Sequence, residues 1–359
     1  METAVRVSSP TLSPLSVATL VLAGILIGNV VPFADTRLPG KLDPVSAFIT
    51  LTPEEVDALT SGRAVTKAFD GGDNELRLFG AIWVDAPEQT YVRAVANGND
   101  ADVVGGRGRH RISAPPREQD VAALHIPDAD AAALRECQRG ECALKLTDDT
   151  LRQIREINWS SSTSADSAQA LMRTMALSVV TAYRKSGNAA LGIYVDDPHA
   201  VAAGREVTEV IREMPLLDNQ MRQYLLSYPN GELPNATSHF EWQLEHFGLK
   251  PTLRINHIVI VPAPDHVVVV SKQIYASHYI RAALDVREFI PDPARGEGFW
   301  LVDVSVVRVD GLIGLRGHFI HQRARTQGVA RLEKALQSTK LALETTAIAT
   351  SGASTDRAH

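Results

Sequence analysis

Hydrophobic positions along this chain change their spacing several times, and each change predicts a different element. In ELRLFGAIWVDAP (75–87), Leu76, Leu78, Ile82 and Val84 alternate with Glu75, Arg77 and Asp85, the two-residue period of a half-buried strand. RAVTKAF (63–69) precedes it across GGDN and predicts a partner strand. Upstream, Thr52-Pro-Glu-Glu opens a short helix, with Thr as N-cap, Pro at the first turn and acids behind it, and Gly62 closes it. Asp85-Ala-Pro-Glu starts a second helix that runs through Tyr91, Val92 and Val95 to NGND. GRGRHRIS (106–113) predicts a short strand.

From 115 to 250 the spacing becomes helical. Ala168, Leu171, Met172, Met175, Ala176, Val179, Val180 and Tyr183 recur at three- and four-residue steps, which predicts a helix over 165–185. Further helices are expected at 147–157, 203–214, 218–227 and 237–247, and ALGIYV (190–195) is the one candidate strand. On the 237–247 helix His239 and His246 would share a face about 10 Å apart along the axis, too far for one metal ion.

At 251 the pattern turns to β. LRINHIVIVPAP, HVVVVSKQIYASHYIRAALDVREFI and GFWLVDVSVVRVDG are rich in Val and Ile and are parted by turn residues. The middle segment far exceeds the usual strand of about 5–6 residues, so it must bulge or break near Tyr275-Ala-Ser-His278. A long amphipathic helix over 315–345 follows, with Phe319, Ile320, Val329, Leu332, Leu336 and Leu343 on its buried side. TSGASTDRAH has no apolar pattern, and 346–359 is expected to be disordered. The fold class is therefore α+β: a curved antiparallel sheet gripping a long C-terminal helix, with a large helical insertion at about 115–250.

Before this domain (51–345), residues 35–50 have the Pro and Gly content of a linker. Leu15 to Ala34 carries no charge, which suits a signal peptide or membrane anchor over 1–34; a buried helix is the competing reading. The chain is expected to be exported, periplasmic or anchored to an inner membrane facing the periplasm. Cys137 and Cys142 are the only cysteines, and CQRGEC can close a small disulfide loop; two free thiols are the alternative, and a metal site would need two further ligands. A net charge of -6, with one basic-leaning stretch confined to the last helix, argues against nucleic acid as a partner.

No phosphate-cradling glycine loop, nucleophile elbow or zinc-protease motif is present, and GGRGRH (105–110) reads as a turn. Neither a metal nor an organic cofactor is expected. The densest polar set lies on the late strands. Strand alternation puts Tyr275, Tyr279 and Arg281 on one side with Gln273 and Ser277, and Lys272 and His278 on the other. Trp300, Val304 and Arg308 share a face of the next strand, with Asp303 opposite. His257 or His278 could act as a base if Asp303 oriented it. The last helix carries Arg316, Arg323, Arg325, Arg331, Lys334 and Lys340, which suit either a solvated face or a membrane surface.

Two stretches carry a family resemblance. FGAIWVDAPEQTYVRAV, and FWLVDVSVVRVDG running into an amphipathic helix, resemble the helix-grip superfamily of START, polyketide-cyclase and plant-allergen-type proteins over about 70–105 and 251–345. SKQIYASHY and CQRGEC are similar to a group of exported bacterial proteins of unassigned function. The resemblance implies a pocket between sheet and helix for a bulky apolar or lipid-like molecule. Tyr275, Tyr279, Arg281, His278, His257, Trp300, Val304 and Arg308 are the candidate contacts. The competing expectations are an enzyme on the same frame and a solid-cored interaction module.

Overall fold

A computed structural model of the chain describes residues 40–72, 74–96, 108–246, 250–263, 266–310 and 314–355; at 95–96, 314–320 and 349–355 it describes the backbone alone. The expected signal or anchor at 1–34, the first part of the linker, the glycine pair at 105–106 and the last tail residues, 356–359, lie outside the described residues.

The capping signals act where they stand. Thr52 caps α1 (Pro53–Thr60): its hydroxyl accepts from the Glu55 amide, and its own amide donates to the Glu55 carboxylate at 2.8 Å. β1 (Val65–Phe69), β2 (Glu75–Val84), α2 (Glu88–Ala96) and a short β3 (His110–Ile112) follow. The helical block holds α3 (Asp128–Ala133), α4 (Asp148–Arg155) and α5 (Ser164–Ser186). Behind them come a ribbon of β4 (Ile193–Tyr194) and β5 (Val201–Ala202), then α6 (Ala203–Glu213) and α7 (Asn219–Ser227). The last third gives β6 (Thr237–His246), β7 (Pro251–Pro262), β8 (Val267–Ala276), β9 (Ile280–Pro291), β10 (Phe299–Val309) and α8 (Gly314–Thr355). The long middle segment breaks at Ser277-His278-Tyr279, where Tyr279 takes a φ of 57°.

Two expectations are corrected here. Residues 237–246 form a strand, not a helix. Phe240, Trp242 and Leu244 alternate with His239, Glu241, Gln243 and Glu245 in the two-residue period of a strand, and pairing with β7 and β3 overrides the helix propensity of the Glu, Gln and Leu residues. The C-terminal helix continues to Thr355, beyond the expected onset of disorder at 346. In addition, Leu42, Val45 and Ile49, in the stretch read as linker, are buried in the core.

Eight strands form one antiparallel sheet in the order β1-β2-β10-β9-β8-β7-β6-β3. Both faces are covered. The first face carries Phe79, Trp83, Trp300, Val302, Val304 and Val306 against α1, α6 and α7, and, further along, Phe240, Trp242, Ile255 and Tyr275 against α3, α4 and α5. The second face receives α8 and α2: Leu332, Leu336 and Leu343 pack with Leu78, Ile82, Val84, Phe289, Phe299 and Leu301. Each of those three leucines is at least nine-tenths buried, worth about 1.5–3 kcal/mol apiece.

Gly80 lets α8 lie this close, because a Cβ there would stand 2.7 Å from Leu336 and 3.0 Å from Leu332. The neighbouring Arg331 donates to the His246 carbonyl on β6 at 2.9 Å. Five strand spacings separate β2 from β6, about 24 Å on a flat sheet. One helix turn touches both, so the sheet bends around α8.

Candidate functional site

Four of the expected site residues do meet, and they meet as a plug. The β8–β9 turn inserts His278 into the helical block, where Nδ1 lies 2.8 Å from the Ala143 carbonyl and Nε2 lies 2.8 Å from the buried Asp130 carboxylate. The Lys145 amide donates to the Ser277 carbonyl, and Tyr275 Oη donates to the Lys145 carbonyl at 3.1 Å. Burial, with the neighbouring Tyr194, Asp196 and Asp130, pushes the Tyr275 phenol well above its usual range. Arg281 and the buried Lys145 share the Asp310 carboxylate, and Tyr279 Oη accepts from the Lys250 amide at 3.5 Å. The Cys137–Cys142 disulfide, with Gln138 bridged to Glu141, holds the receiving loop. Every polar atom of His278 is thus committed to holding the turn in place.

The remaining expected residues do not join them. Trp300 and Val304 are buried on the face away from α8, under α1, α6 and α7; alternation grouped them correctly, but over Phe299–Val302 β10 is apolar on both faces and parity alone cannot say which face the last helix takes. Trp300 stacks edge-on against Trp83 at 5.2 Å and donates to Asp292. Arg308 is a clamp: it binds Glu75 at 3.0 Å, Glu206, Glu209 and Glu213, and so ties α6 to the sheet edge.

Asp303 orients no histidine. It pairs with Arg287 at 2.6 Å and begins a row of ionic and polar contacts across the second face. Ser305 donates to Asp285, Arg254 meets Glu245 at 3.1 Å and Gln273 at 3.0 Å, and Arg109 meets Glu241 at 3.2 Å. Burial raises the Asp303 carboxyl even against the Arg287 charge. The apolar part of this face is filled by Leu332, Leu336, Leu343, Phe299 and a Tyr91–Phe289 stack at 4.1 Å. Of the cations expected to meet a membrane, Arg325 and Arg331 donate to protein carbonyls, and Lys340 binds both the Trp83 carbonyl and Glu344. Arg323 and Lys334 are exposed, and the Arg316 side chain lies outside the described ones.

A cleft of about 520 Å³ opens at the sheet edge, where β3 pairs only with β6. Arg111, Arg184 and His239 line it beside Ser113, Ser238, Tyr228 and Phe240. Arg111 is exposed and Arg184 half-buried, and neither has a carboxylate partner among the described residues. The one carboxylate in the wall, Asp120, is occupied. Burial works against its charge, but donors from Ser113 and the Arg117 amide hold its carboxyl below the usual range. Gly187, at the end of α5 with φ 59°, brings Tyr228 into the wall: any Cβ there would stand 1.7 Å from the Tyr228 carbonyl oxygen.

Behind the wall lies a sealed trio. The His257 ring stacks on Phe240 at 4.7 Å and meets Tyr228 at 4.5 Å; its Nδ1 is 3.3 Å from Tyr183 Oη, and its buried Nε2 has no partner. Burial, with the Lys272 and His239 charges, pushes the imidazole well below its usual range. Lys272 is fully buried, donates to Asn188 Oδ1 at 2.9 Å and the Leu225 carbonyl at 3.1 Å, and lies 4.8 Å from the Tyr183 ring centre. Burial brings its ammonium down to about 7. Sequence reasoning placed His257 but passed over Lys272, whose signal is a lysine at an apolar-face position after HVVVV.

A second cleft, about 410 Å³, runs between α8 and the start of β1, but its Lys340 and Glu344 neutralise each other. Among the described residues no group of His, Cys, Asp and Glu could hold a metal ion, and no helix is long and apolar enough to cross a membrane. No protein-family model, no curated protein and no solved structure matches this chain.

Proposed function

We propose that this protein binds a small anionic ligand in the edge cleft, without catalysing a reaction on it, in an exported compartment. The observation that carries the proposal is the pair of guanidinium groups, Arg111 and Arg184, brought to one cleft with neither ion-paired to a described carboxylate, the one carboxylate in the wall, Asp120, being bound to Ser113 and the Arg117 amide instead. Arginines in that state favour carboxylate or phosphate oxygens, whose charge-assisted bonds are the strongest of the common hydrogen bonds. The cleft volume falls within the range of about 300–1,000 Å³ typical of small-molecule sites. Of the two candidate bases, His257 is sealed behind aromatic rings and His278 is bound to the Ala143 carbonyl and Asp130, which supports binding over catalysis. The disulfide and the uncharged Leu15–Ala34 stretch support export, with periplasmic release or an inner-membrane anchor as its two forms.

A bulky apolar ligand, expected from the helix-grip resemblance, is the second reading. Ile112, Ala114, Tyr228 and Phe240 give the same cleft an apolar wall, whereas under α8 Leu332, Leu336 and Leu343 pack directly onto the sheet. Calorimetric titration with inorganic phosphate and with palmitate separates the two. The proposal expects phosphate binding that Arg184→Gln weakens about tenfold or more, the loss due to one charge-assisted bond. Palmitate binding without phosphate binding would move the assignment to the second reading, and binding of neither would remove both.

A further inference from the structure

We infer that the ligand of the edge cleft is an aromatic acid, with a planar ring lying against Tyr228 and its acid group at Arg111 and Arg184. The inference rests on the anion-binding proposal and adds what the rest of the wall demands.

Both rings are locked. Tyr228 stacks on Tyr183 at 5.0 Å with 13° between planes, and its backbone is pinned by the Gly187 contact. Phe240 stacks on His257 with 18° between planes and meets Tyr183 edge-on at 5.9 Å. His257 is in turn held against Tyr228, so the four rings form one interlocked block and the wall cannot reshape around a flexible chain. A flexible alkyl acid would lose rotamer freedom against such a wall, whereas a planar ring has little to lose and gains ring-on-ring contact. The cationic side completes the match. Arg184 lies close enough to Tyr228 for its charge to act on the phenol, and a guanidinium plane can cover a ligand ring from the side opposite the tyrosine. Rim charge selects the acid; the stacked floor selects the ring.

The test titrates the purified full chain by calorimetry with inorganic phosphate and phenyl phosphate, and with propionate and benzoate, in the wild type, Tyr228→Leu and Tyr228→Phe. Each aromatic acid is expected to bind about tenfold tighter than its ring-free counterpart, a gap that shrinks in Tyr228→Leu and persists in Tyr228→Phe. Equal affinity for ring-bearing and ring-free acids, with sensitivity to Arg184→Gln retained, overturns the inference and leaves anion binding standing. A gap that survives undiminished in Tyr228→Leu also overturns it. Binding of none of the four probes removes both. Should Tyr228→Leu fail to fold, the wild-type ratios decide by themselves.

Discussion

Lys272 offers the sharpest energetic test of how the helical block is seated on the sheet. Its ammonium is fully buried, meets no carboxylate among the described residues, and is held by Asn188, the Leu225 carbonyl and the Tyr183 ring. Burial lowers its pKa from 10.5 to about 7. The folded protein therefore releases this proton near neutrality, while the unfolded chain keeps it until about pH 10.5. Between those limits unfolding takes up a proton, so stability rises with pH, by at most about 1.4 kcal/mol per pH unit. Below pH 7 the full cost remains, on the order of 5 kcal/mol at about 1.36 kcal/mol per pH unit of separation. Lys272→Met keeps the length and removes the charge; it leaves the Asn188 and Leu225 oxygens without their donor, about 1–3 kcal/mol for each such group. Urea unfolding of both proteins at pH 7, 8 and 9 cancels, in the difference, the titrating groups that the Lys272 charge does not reach. The wild type should gain about 1 kcal/mol per pH unit on the variant. Parallel stability curves would refute the buried, carboxylate-free lysine.

Two further perturbations reach other parts of the account. Arg308→Ala strands the buried Glu206 and leaves the buried Glu75 with Arg77 alone, and should cost about 3 kcal/mol in urea unfolding; a loss below about 1 kcal/mol would mean the four-carboxylate clamp does not hold α6. Export-route expression followed by alkylation and mass spectrometry should find no free thiol, and Cys137→Ala with Cys142→Ala should lower stability by about 2 kcal/mol, as expected for so short a loop; two labelled thiols in the wild type would contradict the disulfide.

Local signals were legible from sequence and long-range ones were not. The Thr52–Glu55 capping box, the 164–186 helix and the break at 277–279 each depend on a few neighbouring residues, and each stands where the pattern put it. The alternation of Trp300, Val302, Val304 and Val306 was also readable, but not the face α8 would choose, because β10 has no polar side over its first half. Residues 237–246 misled for another reason: Phe240, Trp242 and Leu244 alternate with polar residues as a half-buried strand does, but Glu241, Gln243, Leu244 and Glu245 are also good helix formers, and only the pairing with β7 and β3 decides. The cleft was invisible for a third reason. Arg111 and Arg184 lie on separate elements, and only the β3–β6 pairing and the Gly187 turn bring them together. His278 looked catalytic because histidine, tyrosine and arginine cluster there in sequence; Asp130, which fixes its role, lies 148 residues away.

If Arg111 and Arg184 are the protein's anion-binding guanidinium groups, heteronuclear NMR of the arginine Nε–H signals will report it during phosphate addition. Both resonances should move together along one saturating curve, while those of Arg77, Arg281 and Arg308, already bound to carboxylates, stay in place. Unmoved signals from Arg111 and Arg184, or equal shifts across all five, would contradict it.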